Sequence, residues 1–558
     1  MTSPRILISV AWILIVGIIF IGIGSTPLTD IDEGAFSEAS REMLERSDWI
    51  SPWLLDAPRF DKPVLIHWLQ MISFSIFEVT TFAARLPSAV ASIIWVGSVG
   101  ALAFRVSRKL LPGIDPLDAY LSAIVLTAST IGVPAIGRAA TADALLNCLL
   151  VLSLLCIWIF FYEKSDRRYG RALSFFVGLG LLTKGPIAVL IPAAASIFAA
   201  IGSGLIMRES GHQKRATTEK HSYLKFALER WMHLVRDPLA WLIVIALCAP
   251  WYFLQFQAQG TAFIEGFFGT HNLGRFVSTM HGFSAGPWYY PGWILIATLP
   301  WTPLVIRTLI FVVRKGSYKN PELIMHWGIF LFVLVFFSFS ATKLPHYGFY
   351  GLSGLIILMS IVLAMKTSRS DGAITSHGTL LPERLFLVFL FLVLSAIPLW
   401  WGLVDIKDPY YFTVWQRAGE LFRQDGLCFL LPLVAGLGLV FLKSFIGLML
   451  GGLIFSLTIH AFVVPTVITA LRSPIVEAAE VLRPLPPQQT ITWRLTAPSL
   501  SFYANRVVPA GNPNPGKLIV MHSKDSNRLA EKISEEGRPP DSIRVIWSSH
   551  GIQIVETR

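Results

Sequence analysis

Long apolar runs alternate with short polar connections along most of this chain. The first run, 6–24, is long enough to cross a hydrocarbon layer of about 30 Å. Further runs lie at 82–104, 119–137, 143–162, 172–183, 186–207, 239–257, 289–312, 323–341, 347–365, 385–403, 427–442 and 445–470. The pattern predicts about thirteen membrane spans with an uncleaved first span, although a signal peptide is the alternative for 6–24.

Three polar segments are large enough to fold outside the apolar runs. Residues 25–81 mix carboxylates, Trp and Pro, which favours helices lying along the outer membrane interface. Residues 222–236 have apolar side chains at helical spacing, as in a helix on the cytoplasmic lipid surface. In 472–558, β-rich runs flank the helical SNRLAEKISEE, which indicates a small α/β domain. We therefore predict an all-α polytopic membrane domain, 1–471, followed by this domain.

Composition and charge exclude several classes of protein. The chain is 54% hydrophobic and only 15% charged, unlike an ordinary soluble enzyme. Its net charge of +11 resides mainly in alternate loops such as 105–118, 163–171 and 208–237. The positive-inside rule makes those loops cytoplasmic, together with the N-terminus, and places the C-terminal domain outside. Membrane lipids, and not nucleic acid, are the expected partners, and four cysteines without a CxxC pair exclude a disulfide framework.

Ionisable residues on the predicted outer face are the candidates for chemistry, because charge near a membrane is costly. In Asp30-Ile31-Asp32-Glu33, neighbouring carboxylates would raise a pKa or attract a cation, or Asp32 would cap a helix. In Arg59-Phe60-Asp61-Lys62-Pro63, the lysine could bind a phosphate, or it could be a snorkelling interfacial residue.

Further candidates stand alone between spans on the same face. Asp143 begins an apolar helix, either as a functional carboxylate or as a cap. His271 and Arg275 would share one helical face, suited to zinc or phosphate, although a lone histidine is often merely hydrogen-bonded. Lys343 lies in the run KLPHY, which ends at Tyr347. Isolated cations that converge on one outer cavity would suit an anionic lipid headgroup.

The order of these motifs resembles that of a known family. Asp32-Glu33, RFDKP, TKGP, FFGTHNLGRF, PWYYP and KLPHY follow one another between about residues 26 and 350, and TAPSLSFYANR occupies 496–506. The chain resembles the lipid-linked aminoarabinose transferases, which belong with the protein O-mannosyltransferases to the C-type membrane glycosyltransferases (GT-C fold). The resemblance implies an inner-membrane enzyme whose active site and C-terminal domain are periplasmic.

The resemblance also implies roles for individual residues. The catalytic carboxylates would be Asp32, Glu33 and Asp143. The groups holding the phosphate of the polyprenyl carrier would be Lys62, Arg275, Lys343 and Tyr347. The positions that match a divalent metal site, for zinc or magnesium, are Asp61 and His271. Asp61 lies in the first predicted periplasmic loop, 25–81, and His271 lies in a second, 257–288. No nucleotide is required, and no nucleotide-binding loop is evident.

The implied reaction moves a sugar from polyprenyl (undecaprenyl) phosphate to an envelope acceptor. Lipid A or another part of lipopolysaccharide, another envelope glycan and protein serine or threonine are all open as acceptors. The run ATADALL around Asp143 departs from the aminoarabinose enzymes, which leaves room for a sugar related to 4-amino-4-deoxy-L-arabinose. A single displacement would invert the anomeric centre, although two carboxylates could also support a double displacement. The alternative is a transporter or flippase for a lipid-linked sugar, although transporters usually carry their charges near the membrane midplane.

Overall fold

The computed structural model describes residues 4–557 except 210–221, 280–284, 317–318, 366, 371–372, 377–379, 398–400, 402–403, 405, 425, 443–444 and 540–541. Parts of two predicted loops therefore lie outside the described residues. These parts are 210–221 of the cytoplasmic loop 208–237 and 280–284 of the outer loop 257–288.

Helices dominate the chain, and every predicted apolar run is helical over most of its length. The first ten helices are α1 (Pro4–Phe20), α2 (Asp32–Arg46), α3 (Leu65–Phe77), α4 (Thr81–Leu110), α5 (Pro116–Ser129), α6 (Gly132–Gly137), α7 (Asp143–Trp158), α8 (Arg167–Lys184), α9 (Ile187–Glu209) and α10 (Ser222–Val235). The next are α11 (Pro238–Ile264), α12 (Arg275–Val277), α13 (Tyr289–Ala297), α14 (Thr302–Lys315), α15 (Ile324–Ser338), α16 (Leu352–Ala364) and α17 (Leu381–Ser395). The last are α18 (Pro409–Gln424), α19 (Gly426–Phe441), α20 (Phe445–Thr458), α21 (Val464–Leu482), α22 (Pro498–Ala504) and α23 (Ser526–Glu535).

The predicted multi-pass architecture is confirmed, because many of these helices are apolar enough to cross a membrane. In the described part of the chain, six helical stretches also meet the length requirement: Thr81–Leu110, Asp143–Glu163, Ile187–Ile206, Pro238–Val277, Pro345–Ala364 and Phe445–Leu482. Shorter apolar helices are Arg5–Phe20, Leu65–Phe77, Pro116–Ser129, Ile324–Ser338 and Leu430–Phe441. The total of about thirteen spans stays a prediction.

Helices α7 and α16 lie at the centre of the bundle. All residues of α16 are buried, and nearly all of α7. A helix that is hydrophobic all round belongs inside a bundle or a membrane, so both helices are enclosed by other parts of the chain. Asp143 is the first residue of α7, and the 3₁₀ turn Pro345–Gly351 leads into α16. A hydrogen bond from Tyr350 to Asp143 brings the starts of the two helices together.

The first polar segment folds as predicted, with helices α2 and α3. A short hairpin, β1 (Trp53–Leu54) and β2 (Ala57–Pro58), lies between them. A second hairpin, β3 (Thr367–Ser370) and β4 (Ala373–Ser376), follows α16. The helix predicted at 222–236 is observed as α10, and its place on the lipid surface stays a prediction.

The C-terminal domain is a small four-stranded mixed sheet with helices, as the sequence predicts. Its strands are β5 (Thr490–Thr492), β6 (Leu518–His522), β7 (Ile543–Ser549) and β8 (Ile552–Thr557), in the spatial order β5-β6-β8-β7. Strand β5 is parallel to β6, and the other pairs are antiparallel.

The predicted boundary between residues 471 and 472 falls inside helix α21. The helix continues to Leu482 because its second half packs in the core of the C-terminal domain through Ala478, Ala479 and Leu482. The last helix of the bundle and the domain are therefore joined without a flexible linker.

Candidate active site

A buried ion pair lies at the start of α7. The Lys184 ammonium donates to Oδ1 of Asp143 at 2.5 Å, and the two side chains are 8% and 10% exposed. The Tyr350 hydroxyl donates to the same oxygen at 3.3 Å, and Nε2 of His346 lies 3.9 Å from it. Thr141 Oγ1 is 3.5 Å from Oδ2. A buried charge needs such a partner, so Asp143 and Lys184 hold each other in place.

The TKGP turn places Lys184 in this pair. Helix α8 ends at Lys184 because Gly185 has φ +73°, a conformation that L side chains rarely adopt. A Cβ atom on Gly185 would also lie 2.6 Å from the ring of Phe267. Phe267 belongs to the π-helical segment Glu265–Gly274, which carries His271. The glycine therefore lets the turn pack directly against that segment.

Aromatic side chains from the KLPHY run border the ion pair. The Lys184 ammonium lies 5.9 Å from the ring centroid of Tyr347 and 5.5 Å from that of Tyr350, within cation–π range. Arg275 hydrogen-bonds the Tyr347 side chain, and Asp32 is close enough to interact with it electrostatically. Tyr347 thus lies between the Asp143–Lys184 pair and the groups contributed by the two predicted outer loops.

The RFDKP run forms a second cluster beside the first. Arg59 Nε lies 2.7 Å from Asp61 Oδ1, and Arg59 Nη2 donates to Oδ2 at 2.8 Å. The Lys62 ammonium donates to the Asp61 carbonyl at 2.9 Å and lies 3.9 Å from Oδ2. Burial alone would raise the pKa of Asp61, but the charges of Arg59 and Lys62 lower it below its usual range.

The pKa of the Lys62 ammonium is lowered in this cluster. Burial lowers its pKa, and the cations Arg275 and Lys184 nearby lower it further, whereas Asp61 opposes the shift; the resulting pKa is about 7. The cations that interact here are Arg59, Lys62, Lys184 and Arg275. They outnumber the nearby carboxylates Asp32, Asp61 and Asp143. The site therefore carries excess positive charge suited to an anion.

Asp32 has the setting expected of a carboxylate that meets solvent or substrate. It is the first residue of α2, and the N-cap position belongs to Ile31, which makes no side-chain capping bond. Asp32 is exposed. Within the described part of the chain, its side chain has no hydrogen bond or ion pair, and its interaction with Tyr347 is electrostatic. The predicted alternative of an N-cap is therefore wrong for Asp32.

Asp61 and His271, the two predicted metal ligands, are neighbours in the structure. They are close enough to interact, and Nδ1 of His271 is buried without a hydrogen-bond partner. However, Asp61 already faces Arg59 and Lys62, whose positive charges would repel a divalent cation. Among the described residues, no group of three or more His, Cys, Asp and Glu side chains could hold a metal ion. The predicted zinc or magnesium at Asp61 and His271 stays a prediction.

Glu33 is occupied by contacts within the fold, contrary to its predicted catalytic role. It is 3% exposed and accepts from Arg85 Nε at 2.8 Å and from Arg85 Nη2 at 2.9 Å. The amides of Ala140 and Thr29 donate to the same carboxylate at 2.8 and 2.9 Å. Because both oxygens are occupied by internal donors, Glu33 ties α2 to α4 and has no free oxygen for a substrate.

Lys343 is also used within the fold, contrary to its predicted contact with a carrier phosphate. Its ammonium donates to the carbonyls of Phe337, Ser338 and Ser340 at 3.1, 2.6 and 2.5 Å. Phe337 and Ser338 end α15 and Ser340 follows it, at a helix end that leaves acceptors unpaired and favours a cation. Lys343 therefore caps α15.

Sequence reasoning missed three members of the site, namely Lys184, His346 and Tyr350. Lys184 stood out only as an isolated cation within TKGP, and the other two lie inside or beside the KLPHY run. Their common partner is Asp143, more than 40 residues away from each of them in the chain. Only the packing of α7, α8 and the 3₁₀ turn brings them together.

Known proteins match both the sequence and the fold. Residues 61–214, which include Lys62, Asp143 and Lys184, match the family model described as dolichyl-phosphate-mannose-protein mannosyltransferase. Similar curated proteins include three named undecaprenyl phosphate-alpha-4-amino-4-deoxy-L-arabinose arabinosyl transferase. The one from Enterobacter sp. (strain 638) is 26% identical over 409 residues, covering 71% of this chain and 68% of its own length.

The other two relatives are matched over shorter regions. The Yersinia enterocolitica protein is 27% identical over 362 residues, covering 63% of this chain and 59% of its own length. The Aeromonas hydrophila protein is 30% identical over 328 residues, covering 58% of this chain and 53% of its own length. The matched region thus spans less than two thirds of these two relatives.

The fold matches over nearly the whole chain. The crystal structure of ArnT from Cupriavidus metallidurans bound to undecaprenyl phosphate has a TM-score of 0.73 at 17% identity, with 99% of this chain and 97% of that chain covered. The apo form of the same protein has a TM-score of 0.68 with the same coverage. The chain is thus a relative of the aminoarabinose transferases and has the GT-C fold of these membrane glycosyltransferases.

Proposed function

We propose that this protein is a glycosyltransferase that moves a sugar from a polyprenyl phosphate to an envelope acceptor on the periplasmic face of the inner membrane. The observation that carries the proposal is the cluster in which Lys62, Lys184 and Arg275 meet near Asp143. The sequence relatives act with undecaprenyl phosphate-alpha-4-amino-4-deoxy-L-arabinose, as their name states. We therefore propose this sugar or a related one, undecaprenyl phosphate as carrier and lipid A as acceptor.

The cations would bind the donor and stabilise its departure. In the donor, the sugar is joined to the carrier through one phosphate oxygen. When the bond between the anomeric carbon and that oxygen breaks, the electron pair and a growing negative charge remain on the phosphate. Lys62, whose side chain is 11% exposed, and Arg275 would stabilise that charge more strongly in the transition state than in the ground state. Tyr347, held by Arg275, would border the same phosphate.

Asp32 would act on the acceptor. It is exposed at the start of α2 and carries no internal hydrogen bond or ion pair in the described chain, so its carboxylate can accept the proton of an acceptor hydroxyl. The acceptor oxygen then forms the new bond to the anomeric carbon as the phosphate leaves. One displacement of this kind inverts the anomeric centre. Asp143 would hold Lys184 in place beside the phosphate.

The orientation is part of the proposal. The loops richest in lysine and arginine would be cytoplasmic, which places the N-terminus inside and the C-terminal domain with the site outside. Sugar transfer on that side uses a lipid-linked donor and needs no nucleotide sugar.

A protein acceptor is the second candidate. The family model matched by residues 61–214 is that of dolichyl-phosphate-mannose-protein mannosyltransferases, which supports serine or threonine as the receiving group. Lipid A and protein differ in the group that approaches Asp32, and the donor half of the mechanism is the same for both.

A transfer assay tests the proposal, with the purified protein in lipid vesicles and undecaprenyl phosphate-alpha-4-amino-4-deoxy-L-arabinose as donor. Mass spectrometry of lipid A and of an added acceptor peptide would follow the sugar. The wild-type protein should transfer it to lipid A, and Asp32→Asn should lower the turnover by about 10²-fold or more, as expected for loss of a general base. Asp56→Asn, a change of an exposed carboxylate in the same polar segment, is the matched control. Unchanged turnover in Asp32→Asn would refute the role of Asp32, and transfer to the peptide alone would favour the second candidate.

A further inference from the structure

The C-terminal domain forms hydrogen bonds with the loop that precedes Asp32. The Asp30 carboxylate is 1% exposed and accepts two hydrogen bonds from Ser499, a residue of α22. The Ser499 amide donates to Oδ1 at 3.0 Å, and the Ser499 hydroxyl donates to Oδ2 at 2.5 Å. This contact joins residues that are 469 positions apart in the chain.

Two further contacts hold the same loop. Arg472, on α21, donates to the Asp30 carbonyl at 3.1 Å and lies 3.7 Å from its Oδ2. The Tyr503 hydroxyl accepts from the Leu28 amide at 2.7 Å. Both arise from the part of the chain that builds the C-terminal domain, because α21 continues into that domain.

The packing leaves little freedom at this point. A Cβ atom on Gly34 would lie 2.2 Å from Oδ1 of Asp30 and 2.7 Å from the Ser499 amide nitrogen. Only glycine allows the first turn of α2 to approach α22 so closely. Asp32, by contrast, has no side-chain hydrogen bond or ion pair of its own among the described residues, so its position depends on the backbone on either side of it.

We propose that Ser499 is a positioning residue, through which the C-terminal domain fixes the backbone that carries Asp32. The inference rests on the transfer reaction proposed above. Precise placement of a reacting group is worth large factors in rate, and a shift of about 1 Å can lower turnover by about 10²-fold. The contact with Asp30 acts on this placement and does not touch the donor, so it affects kcat and leaves the KM for the donor unchanged.

Ser499→Ala tests the proposal in the vesicle assay. It removes the hydroxyl donor and keeps the amide donor, so the fold should survive. We expect kcat to fall by about 10- to 100-fold, with the KM for the donor within about twofold of wild type. Ser499→Thr keeps the hydroxyl and should restore kcat. Ser534→Ala, whose hydroxyl bonds only the Ala530 carbonyl in α23, is the matched control and should not change kcat.

Hydrogen exchange supplies a readout that does not depend on turnover. In Ser499→Ala, the amides of residues 28–35 should exchange at least about tenfold faster, while those of β6 and β8 stay protected as in wild type. Faster exchange in both regions would indicate a loosened domain and would overturn the positioning role. Wild-type kcat in Ser499→Ala would also overturn it. If the wild-type protein transfers no sugar, the proposed function fails. The role of the contact is refuted separately if the amides of residues 28–35 exchange hydrogen at the same rate in Ser499→Ala as in the wild type.

Discussion

Replacing Asp143 by asparagine should destabilise the folded protein by much more than the loss of one hydrogen bond. The Lys184 ammonium, 2.5 Å from Asp143 and 8% exposed, would lose its counterion in a buried place. Removing one partner of a buried ion pair costs about 3–5 kcal/mol, compared with about 1 kcal/mol for a neutral hydrogen bond. The hydrogen bond from Tyr350 survives in Asp143→Asn, because the amide oxygen can still accept it.

The double variant Asp143→Asn/Lys184→Met separates the cost of an unpaired buried charge from the cost of poor packing by the asparagine side chain. It buries no charge, so we expect it to recover more than half of the loss in unfolding free energy. The assay is denaturant unfolding of the purified proteins in detergent. Glu477→Gln, at an ion pair with Arg417 in which the glutamate is 37% exposed, is the control and should cost no more than about 1 kcal/mol. Sugar transfer should stay low in the double variant, because Lys184 is missing beside the phosphate. A double variant as unstable as Asp143→Asn would refute the reasoning.

Three further results are expected. Donor binding should be strongest below pH 7, and the affinity should fall by up to about tenfold per pH unit above it. The reason is that Lys62 in the free protein has a pKa of about 7 and that the donor phosphodiester favours its charged form. Titration calorimetry of the wild type and of Lys62→Arg over this pH range checks the prediction, and a wild-type affinity that does not depend on pH would contradict it. Glu33→Gln should destabilise the fold by about 3–5 kcal/mol through Arg85 yet retain turnover per folded molecule; a turnover loss at unchanged stability would restore its catalytic role. Gly185→Ala should lower the melting temperature because of its φ of +73° and the Phe267 ring, and an unchanged melting temperature would contradict this.

The sequence predicts the architecture well because apolar composition decides it. Uncharged runs of sufficient length form helices in a membrane whatever their neighbours are, so the helices of the bundle coincide with the apolar runs. The predicted boundary at residue 472 falls within a continuous helix. Polarity changes near residue 472, but α21 continues to Leu482, since its later residues find apolar partners in the C-terminal domain.

The site was predictable by segment and less so by residue. Motif order indicates that RFDKP, TKGP and KLPHY serve one site, but it cannot say where each side chain points. Lys343 and Lys184 look alike in the sequence, as single cations between apolar runs. Lys343 follows the end of α15 and satisfies its carbonyls, whereas Lys184 ends α8 opposite Asp143. That difference arises from tertiary packing, which local spacing does not encode.

Lipid mass spectrometry of cells with and without this gene tests the central claim most directly. If the protein consumes a polyprenyl phosphate sugar, that donor should accumulate in cells that lack it, and the same sugar should be missing from lipid A or from another acceptor. Re-expression of the wild-type protein should reverse both changes, and expression of Asp32→Asn should reverse neither. Unchanged levels of every carrier-linked sugar, under conditions in which the protein is made, would contradict the proposed transfer reaction.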